Sequence, residues 1–388
     1  MNNKFISKKV IFSRDDSNKY YKDKKELLDN DKPINEDIFN RLITNEIFTF
    51  MGPFDNIVLL VGAGASVVGN KDENYGYTVD MLGKEIKRQL KDPNYFTLDD
   101  LILMCKYNQN SEDDFNLEDF LSQLQSFFPF VSEKDKLKLD SSFNKIIEII
   151  KEKTSYDYDE SKFKHGILIN QLTNLHKSPN RLSVVTTNYD IVVEESAYSL
   201  NYTVFDGFSF AHKPIFDVDM FEWYLSKPIT EVKSQKESYK KNVMNLLKIH
   251  GSLTWERQNN NIIRKNKGEV NNPIMIFPSS NKYMQSYEKP YFDLFTKFQS
   301  LLRKSNTVLI TSGFSFADNH ISQMIIQAIK TNPSLILLVT DYIIEPEHPN
   351  ENWEELLKLM NSDYNISFLQ ATMNGDLTQF FSRGENSD

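Results

Sequence analysis

Five apolar residues in a row, Ile57 to Val61, run directly into two glycines separated by one alanine in NIVLLVGAGAS (Asn56–Ser66). A continuous apolar run bounded by a glycine turn predicts a strand buried on both faces, the opening strand of a parallel sheet, with the turn leading into a helix. The chain before it is polar and charged. There KKVIFSRDD predicts an edge strand, and NEDIFNRLITNEIF predicts an amphipathic helix with Ile38, Leu42 and Ile43 on one face. Residues 1–54 are therefore expected as an N-terminal adapter or oligomerisation segment, and residues 55–388 as the main domain. Over residues 95–176 apolar positions recur three and four apart in TLDDLILMCKY, NLEDFLSQLQSFF, KLKLDSSFNKIIEIIKEK and KFKHGILINQLTNLH. That period predicts a helical insertion after the first βα unit.

Short β-branched runs then return. RLSVVTTNYD predicts a strand ending in Asn188, Tyr189 and Asp190; NLLKIHGSLTW and NPIMIFPSS predict two more strands, with an exposed hairpin in ERQNNNIIRKNKGEV between them. The last third alternates strand NTVLITSGFS, helix DNHISQMIIQAIKT, strand SLILLVTD, helix NWEELLKLM, a strand near ISFLQA and a final helix DLTQFFS. This order predicts an α/β fold: a doubly wound, mostly parallel Rossmann-like sheet whose ligands sit at the carboxyl ends of its strands.

Composition narrows the function classes. With 40% hydrophobic residues the chain can bury a large core, and its few glycines and prolines exclude low-complexity readings. A net charge of -9 argues against sequence-independent nucleic-acid binding, so nucleic acid is expected only through a partner. Two basic groups, Lys236, Lys240, Lys241 and Lys248, and the hairpin's Arg264, Lys265 and Lys267, read more readily as solvated surface than as a contact for nucleic acid. The single cysteine, Cys105, can build neither a disulfide framework nor a cysteine zinc site, which fits a reducing cytoplasm. MNNKFISKKVIFSRDD lacks the apolar run of a signal peptide, and no run approaches a bilayer span, so no membrane partner is expected. His165 and His176 are too far apart for a helical ligand pair and His212 and His348 fall in loops, so no metal site is expected.

Four stretches carry candidate chemistry. The turn in VGAGAS either offers backbone amides to a pyrophosphate, with Gly62 and Gly64 allowing close approach, or is a structural corner; Val67 stands where a dinucleotide fingerprint has its third glycine. TTNYD sets Thr187, Asn188 and Asp190 at a buried strand end, although Asp190 also fits as a cap for the following helix. KIHGSL sets His250 at another strand end, useful to catalysis only beside a substrate. TSGFSFADNHI gathers Ser312, Gly313, Ser315, Asp318 and Asn319 between a strand and a helix, either a phosphate or ribose site or an ordinary capped connection. Asp341, after another strand, either caps or touches a ribose.

Taken in order, GAGAS, TTNYD, KIHGSL and TSGFSFADNHI resemble the sirtuin-like NAD-binding domain, in its bacterial defence-associated branch, over about residues 55–345. The resemblance implies that Gly62, Ala63, Gly64 and Ser66 cradle the NAD pyrophosphate and that Asn188 and Asp190, with Thr187, hold the nicotinamide ribose side. It implies further that His250 is catalytic together with Asn188, and that Ser312, Gly313 and Ser315 line the adenosine half. Protein-deacetylating sirtuins carry a four-cysteine zinc module and a Gly-Ile-Pro-x-Phe-Arg loop; the single Cys105 and VVGNKDENYGYTVDML depart from both, which tells against acyl-lysine chemistry. The defence members cleave NAD+ to nicotinamide and ADP-ribose and deplete the cell's pool, without a metal. An activity of that kind needs gating, so the resemblance implies a homo-oligomer docking on a HerA-type hexameric ATPase. The alternatives are a protein deacylase or ADP-ribosyltransferase using the same site, and a subunit that senses NAD or ADP-ribose for a partner ATPase.

Overall fold

Short strands open the chain: β1 (Asn2–Ser7), β2 (Ile11–Arg14), β3 (Tyr20–Lys22) and β4 (Lys25–Glu26) form an antiparallel meander. A small hairpin of β5 (Leu28–Asp29) and β6 (Lys32–Pro33) leads into helix α1 (Glu36–Met51). The apolar run is β7 (Asn56–Val61), and the glycine turn after it is a single 3-10 turn, Ala63–Ser66, where the sequence predicted a helix. Helices α2 (Val79–Gln89), α3 (Leu98–Cys105), α4 (Leu117–Phe127), α5 (Glu133–Thr154) and α6 (His165–Asn174) follow. Then come β8 (Ser183–Thr186), α7 (Val192–Ser199), β9 (Thr203–Phe205), β10 (Ser226–Pro228), β11 (Glu237–Tyr239) and β12 (Val243–Lys248). The chain continues through β13 (Gly251–Gln258), β14 (Asn261–Arg264), β15 (Pro273–Met275), α8 (Tyr291–Arg303) and β16 (Thr307–Ser312). It closes with α9 (Asn319–Thr331), β17 (Leu335–Asp341), α10 (Glu351–Asn361) and β18 (Ile366–Gln370). This computed structural model describes residues 1–69, 76–107, 115, 117–155, 157–177, 179–229, 237–275 and 289–382.

One sheet of 11 strands runs in the order β4-β3-β2-β1-β18-β17-β16-β7-β8-β12-β9. Every neighbouring pair from β18 to β9 is parallel, so the sheet is mostly parallel and doubly wound, as the alternation of elements predicted. Successive side chains of a strand point to opposite faces. In β7, Val58 and Leu60 meet the layer of α8, α9 and α10, while Ile57, Leu59 and Val61 meet the layer of α1, α6 and α7. Both faces are covered, which is why the strand sequences are continuous apolar runs.

The segment expected as an adapter is built into this sheet. β1 pairs antiparallel with β18, and KKVIFSRDD supplies β2, an inner strand of the meander, while β4 forms the edge. Helix α1 buries Phe39, Ile43, Ile47 and Met51, four apart, with Ile38 and Leu42 flanking that stripe. Phe39 stacks on Tyr20 at 4.5 Å and meets Phe12 edge-on at 5.9 Å.

The helical insertion has a core of its own and different limits from those expected. Leu82 and Ile86 of α2 pack with Leu101, Phe120, Leu124 and Ile146 of α3 to α5, whereas Leu168, Ile169 and Leu172 of α6 pack on the sheet. An amphipathic stripe declares that it will be buried, but the same period fits either neighbour. NLLKIHGSLTW divides at Gly251 between the main sheet and a side sheet ordered β14-β13-β15. Gly251 has φ +90°, and a Cβ there would lie 2.1 Å from the Ile274 carbonyl oxygen, so the break requires glycine. Of NPIMIFPSS only Pro273–Met275 is seen as a strand, and residues 276–280 lie outside the described residues. The helix predicted in DLTQFFS is a 3-10 turn, Leu377–Phe381. Among the described residues no helix is long and apolar enough to cross a membrane.

Replacing Phe39, 1% exposed, tests how deeply the N-terminal segment belongs to the fold. Phe39→Ala should cost about 3–5 kcal/mol of unfolding free energy in urea titration, as for a core aromatic. A detachable adapter would leave the main transition where it is.

Candidate functional site

From β7 the chain lays down β8, β9 and β12 on one side, then returns as β16 on the other. The order reverses between β7 and β16, and a doubly wound sheet opens its ligand crevice at such a point. The GAGAS turn leaves β7 there, and SGFSF leaves β16. The two loops touch backbone to backbone: the Gly62 amide donates to the Ser312 carbonyl at 3.0 Å, and the Gly64 amide to the Gly313 carbonyl at 3.0 Å. A Cβ on Gly62 would sit 2.5 Å from the Gly313 carbonyl oxygen, and one on Gly313, at φ +62°, would sit 2.1 Å from the Ala65 nitrogen. The glycines thus serve a loop-to-loop contact, the structural role open to them, while Ala63, Gly64 and Ser66 still face the cleft. The amides of Gly62 and Gly64 are engaged by that contact, and the Ala65 amide by the Gly62 carbonyl at 3.0 Å.

Above the loops lies a cleft of about 760 Å³, within the range of about 300–1,000 Å³ usual for small-molecule sites. Ala63, Gly64 and Ser66 line it after β7; Thr187, Asn188 and Asp190 after β8; His250 after β12; Gly313 and Ser315 after β16. Four separate motifs of the sequence therefore meet in one place. Gly62 and Ser312 lie beneath it: Ser312 is fully buried, the last residue of β16, with its carbonyl spent on Gly62. Of the two serines expected on the adenosine half, only Ser315 reaches the cleft. Leu82, Leu117, Leu121 and Ile150 of the insertion form an apolar opposite wall, which places the insertion over the strand ends.

A buried polar network holds Asn188. Its Nδ2 donates to the Gly62 carbonyl at 3.1 Å and to Ser66 Oγ at 3.0 Å, and Ser66 Oγ donates onward to Asp190 Oδ2 at 2.9 Å. Both amide hydrogens are consumed, so Asn188 can offer a ligand only its acceptor oxygen. Besides accepting from Ser66, Asp190 accepts through Oδ1 from the Val192 amide at 3.0 Å at the start of α7. Lys248, grouped by sequence with a solvated basic cluster, is 1% exposed and donates to the Asp190 carbonyl while pairing with Glu194 Oε1 at 2.9 Å. It ends β12, and the strand's direction carries it under the site. Burial pushes the Glu194 carboxyl up, and Lys248 opposes that shift.

Other ionisable groups sort by position. Asp341 lines the cleft at the end of β17, and burial pushes its carboxyl up to about 6. Burial also brings His165, in the core, and His176, half-buried, down to about 4, so both are neutral at pH 7. The hairpin cations are paired: Arg264 with Asp206, Lys265 with Glu256, and Lys267 Nζ at 3.5 Å from Asp157. Lys240 donates to Thr203 Oγ1 at 2.6 Å, and Lys236 lies outside the described residues. Among the described residues no group of three His, Cys, Asp or Glu side chains is placed to hold a metal ion.

Residues 182–367 match the family model for the SIR2-like domain. The chain carries a SIR2-like domain. Its matched span runs from β8 to β18 and takes in Asn188, His250 and the SGFSF loop, while β7 and its glycine turn precede it and complete the same sheet. A SIR2-like domain points to NAD-dependent chemistry. Comparison with curated proteins gives no match.

Sequence reading passed over Asn374. From beyond β18, its Nδ2 donates to the carbonyls of Ala65 and Val67, each at 2.8 Å, and its Oδ1 accepts from the Lys164 amide at 3.1 Å. No local pattern marks an asparagine that clamps a turn more than 300 positions away. Asn374→Ala should destabilise the SIR2-like domain by about 1–3 kcal/mol, the cost of orphaned carbonyls, and weaken NAD binding measured by calorimetry. Unchanged affinity would show that the turn holds its shape without the clamp.

Proposed function

We propose that the protein is an NAD+ glycohydrolase, cleaving NAD+ to nicotinamide and ADP-ribose as the effector of a bacterial anti-phage defence that works by NAD+ depletion. The observation that carries this reading is the meeting of His250 and Asn188, at the ends of neighbouring parallel strands, in the crevice of a SIR2-like domain. In the reaction the bond between nicotinamide nitrogen and ribose C1′ breaks, nicotinamide leaves neutral, and the ribose becomes oxocarbenium-like. Water adds to C1′ and gives up one proton. Such a site must orient the leaving group, stabilise the cationic sugar and accept that proton.

The residues suit these tasks. His250 accepts a proton from the water or from a ribose hydroxyl. The Asn188 oxygen, its amide hydrogens already spent, accepts from the same hydroxyl or water. Ala63, Gly64 and Ser66 face the pyrophosphate, and Ser315 and Asp341 the adenosine half. Gating is assigned to homo-oligomerisation or to docking on a HerA-type hexameric ATPase, with nucleic acid reached only through that partner, in a cytoplasmic setting.

The test is nicotinamide release from NAD+ by the wild type, His250→Ala and Asn188→Ala, alone and with the ATPase. Either substitution should lower turnover by about 10²–10⁴-fold with NAD still bound. No release in any assembly, with NAD bound, would replace this reading with that of a sensor; release strictly requiring an acylated peptide would make it a deacylase.

Asp341 adds a pH dependence. Its carboxyl is neutral below about 6, so a ribose held by the carboxylate should bind less tightly as pH falls from 7 to 5. Stability moves the other way: between 3.8 and about 6 the folded chain keeps a proton that the unfolded chain releases, so stability from this group is lost as pH rises through that window. Asp341→Asn should flatten both slopes, read by NAD titration and by urea melts across pH.

A further inference from the structure

We infer that Asp318 is the positioning residue that decides which nitrogen of His250 is basic. Asp318 precedes α9, and its Oδ1 accepts from the backbone amides of His320 at 3.0 Å and Ile321 at 3.2 Å. One carboxylate oxygen is thereby tied to the helix end. The other, Oδ2, lies 3.1 Å from His250 Nε2, and the two side chains are 7% and 3% exposed. A neutral imidazole has one N–H and one lone-pair nitrogen, and the nitrogen facing a carboxylate keeps the proton. Nδ1 is then the proton acceptor.

The loop carrying Asp318 is held against its own backbone preference. Phe316 has φ +58°, a left-handed conformation that a large side chain avoids. Its buried ring packs on Phe314 at 4.9 Å and on Trp353 at 5.8 Å. Its carbonyl accepts from Ser322 Oγ and Asn352 Nδ2, each at 3.0 Å, and the Ser315 carbonyl accepts from Asn350 Nδ2 at 2.9 Å. Strain persists where surrounding structure over-determines it, commonly at functional sites. Here the result is a carboxylate delivered across the crevice, since β7 and β8 separate β16 from the strand that bears His250.

The test is Asp318→Asn in the full chain with ¹⁵N-labelled histidines, the His250 imidazole signals being assigned by their loss in His250→Gln. Asparagine caps helices as well as aspartate does, and its single oxygen stays on the amides of residues 320 and 321. Its NH₂ group then faces Nε2 and forces the proton onto Nδ1. The wild type should show the Nε2–H tautomer and the variant the Nδ1–H tautomer. For the NAD cleavage proposed above, on which this part rests, kcat should fall about a hundredfold or more with KM near that of the wild type. Asp318→Ser, which keeps a cap without a carboxylate, serves if the asparagine variant fails to fold, and should leave a mixture of tautomers. An unchanged tautomer overturns the inference, and so does a reversed tautomer with kcat intact. A wild type that shows the Nε2–H form, switches in the variant and yet releases no nicotinamide upholds the pairing and overturns the proposed reaction instead.

Discussion

The cleft depends on two loops that touch backbone to backbone where the strand order reverses. Gly62 and Gly64 come so close to Gly313 that a Cβ on Gly62 or Gly313 would collide with the opposite main chain. Paired amides and carbonyls then fasten the loops. This contact sets the floor on which every other residue of the site is placed, because the ends of β7 and β16 cannot move apart without breaking it. Asn374 braces the same turn from beyond the last strand, so the floor is held from both halves of the chain.

Buried polar groups on that floor are costly unless each finds a partner. The series Asn188, Ser66, Asp190, Lys248 and Glu194 largely meets that condition by passing hydrogen bonds from one residue to the next, with Glu194 Oε2 left over at its end. Ser66 has a single hydroxyl proton, given to Asp190, and so receives from Asn188; this fixes which face of the Asn188 amide is left for a ligand. Orientation, more than charge, is what the network supplies. On the other side of the crevice, the carboxylate that caps α9 lies 3.1 Å from His250 Nε2.

The remaining architecture encloses these groups. The N-terminal meander covers the free edge of β18, which would otherwise expose unpaired backbone groups, and α1 seals the layer behind β7. The insertion, with its own core, contributes the apolar wall opposite the strand ends. The cleft thus combines a few oriented hydrogen-bonding groups at the strand ends with leucines and an isoleucine from the insertion.

Local chemistry determined a good deal by itself. Short continuous apolar runs bounded by turn residues read as strands covered on both faces, so the alternation from Asn306 onward specified a doubly wound parallel sheet, and polar residues at strand ends pointed to the side of the sheet where the cleft lies. Asn188, Asp190, His250 and Ser315 were legible for that reason. The period of a helix does not say which surface covers its apolar stripe, so the division of α2 and α6 between the insertion and the sheet was settled only by packing. Strand direction buried Lys248, and chain crossings put Ser312 under the cleft, Asn374 against the glycine turn and Asp318 beside His250. These are contacts between residues tens to hundreds of positions apart, and they exist only once the sheet order has brought the strand ends together.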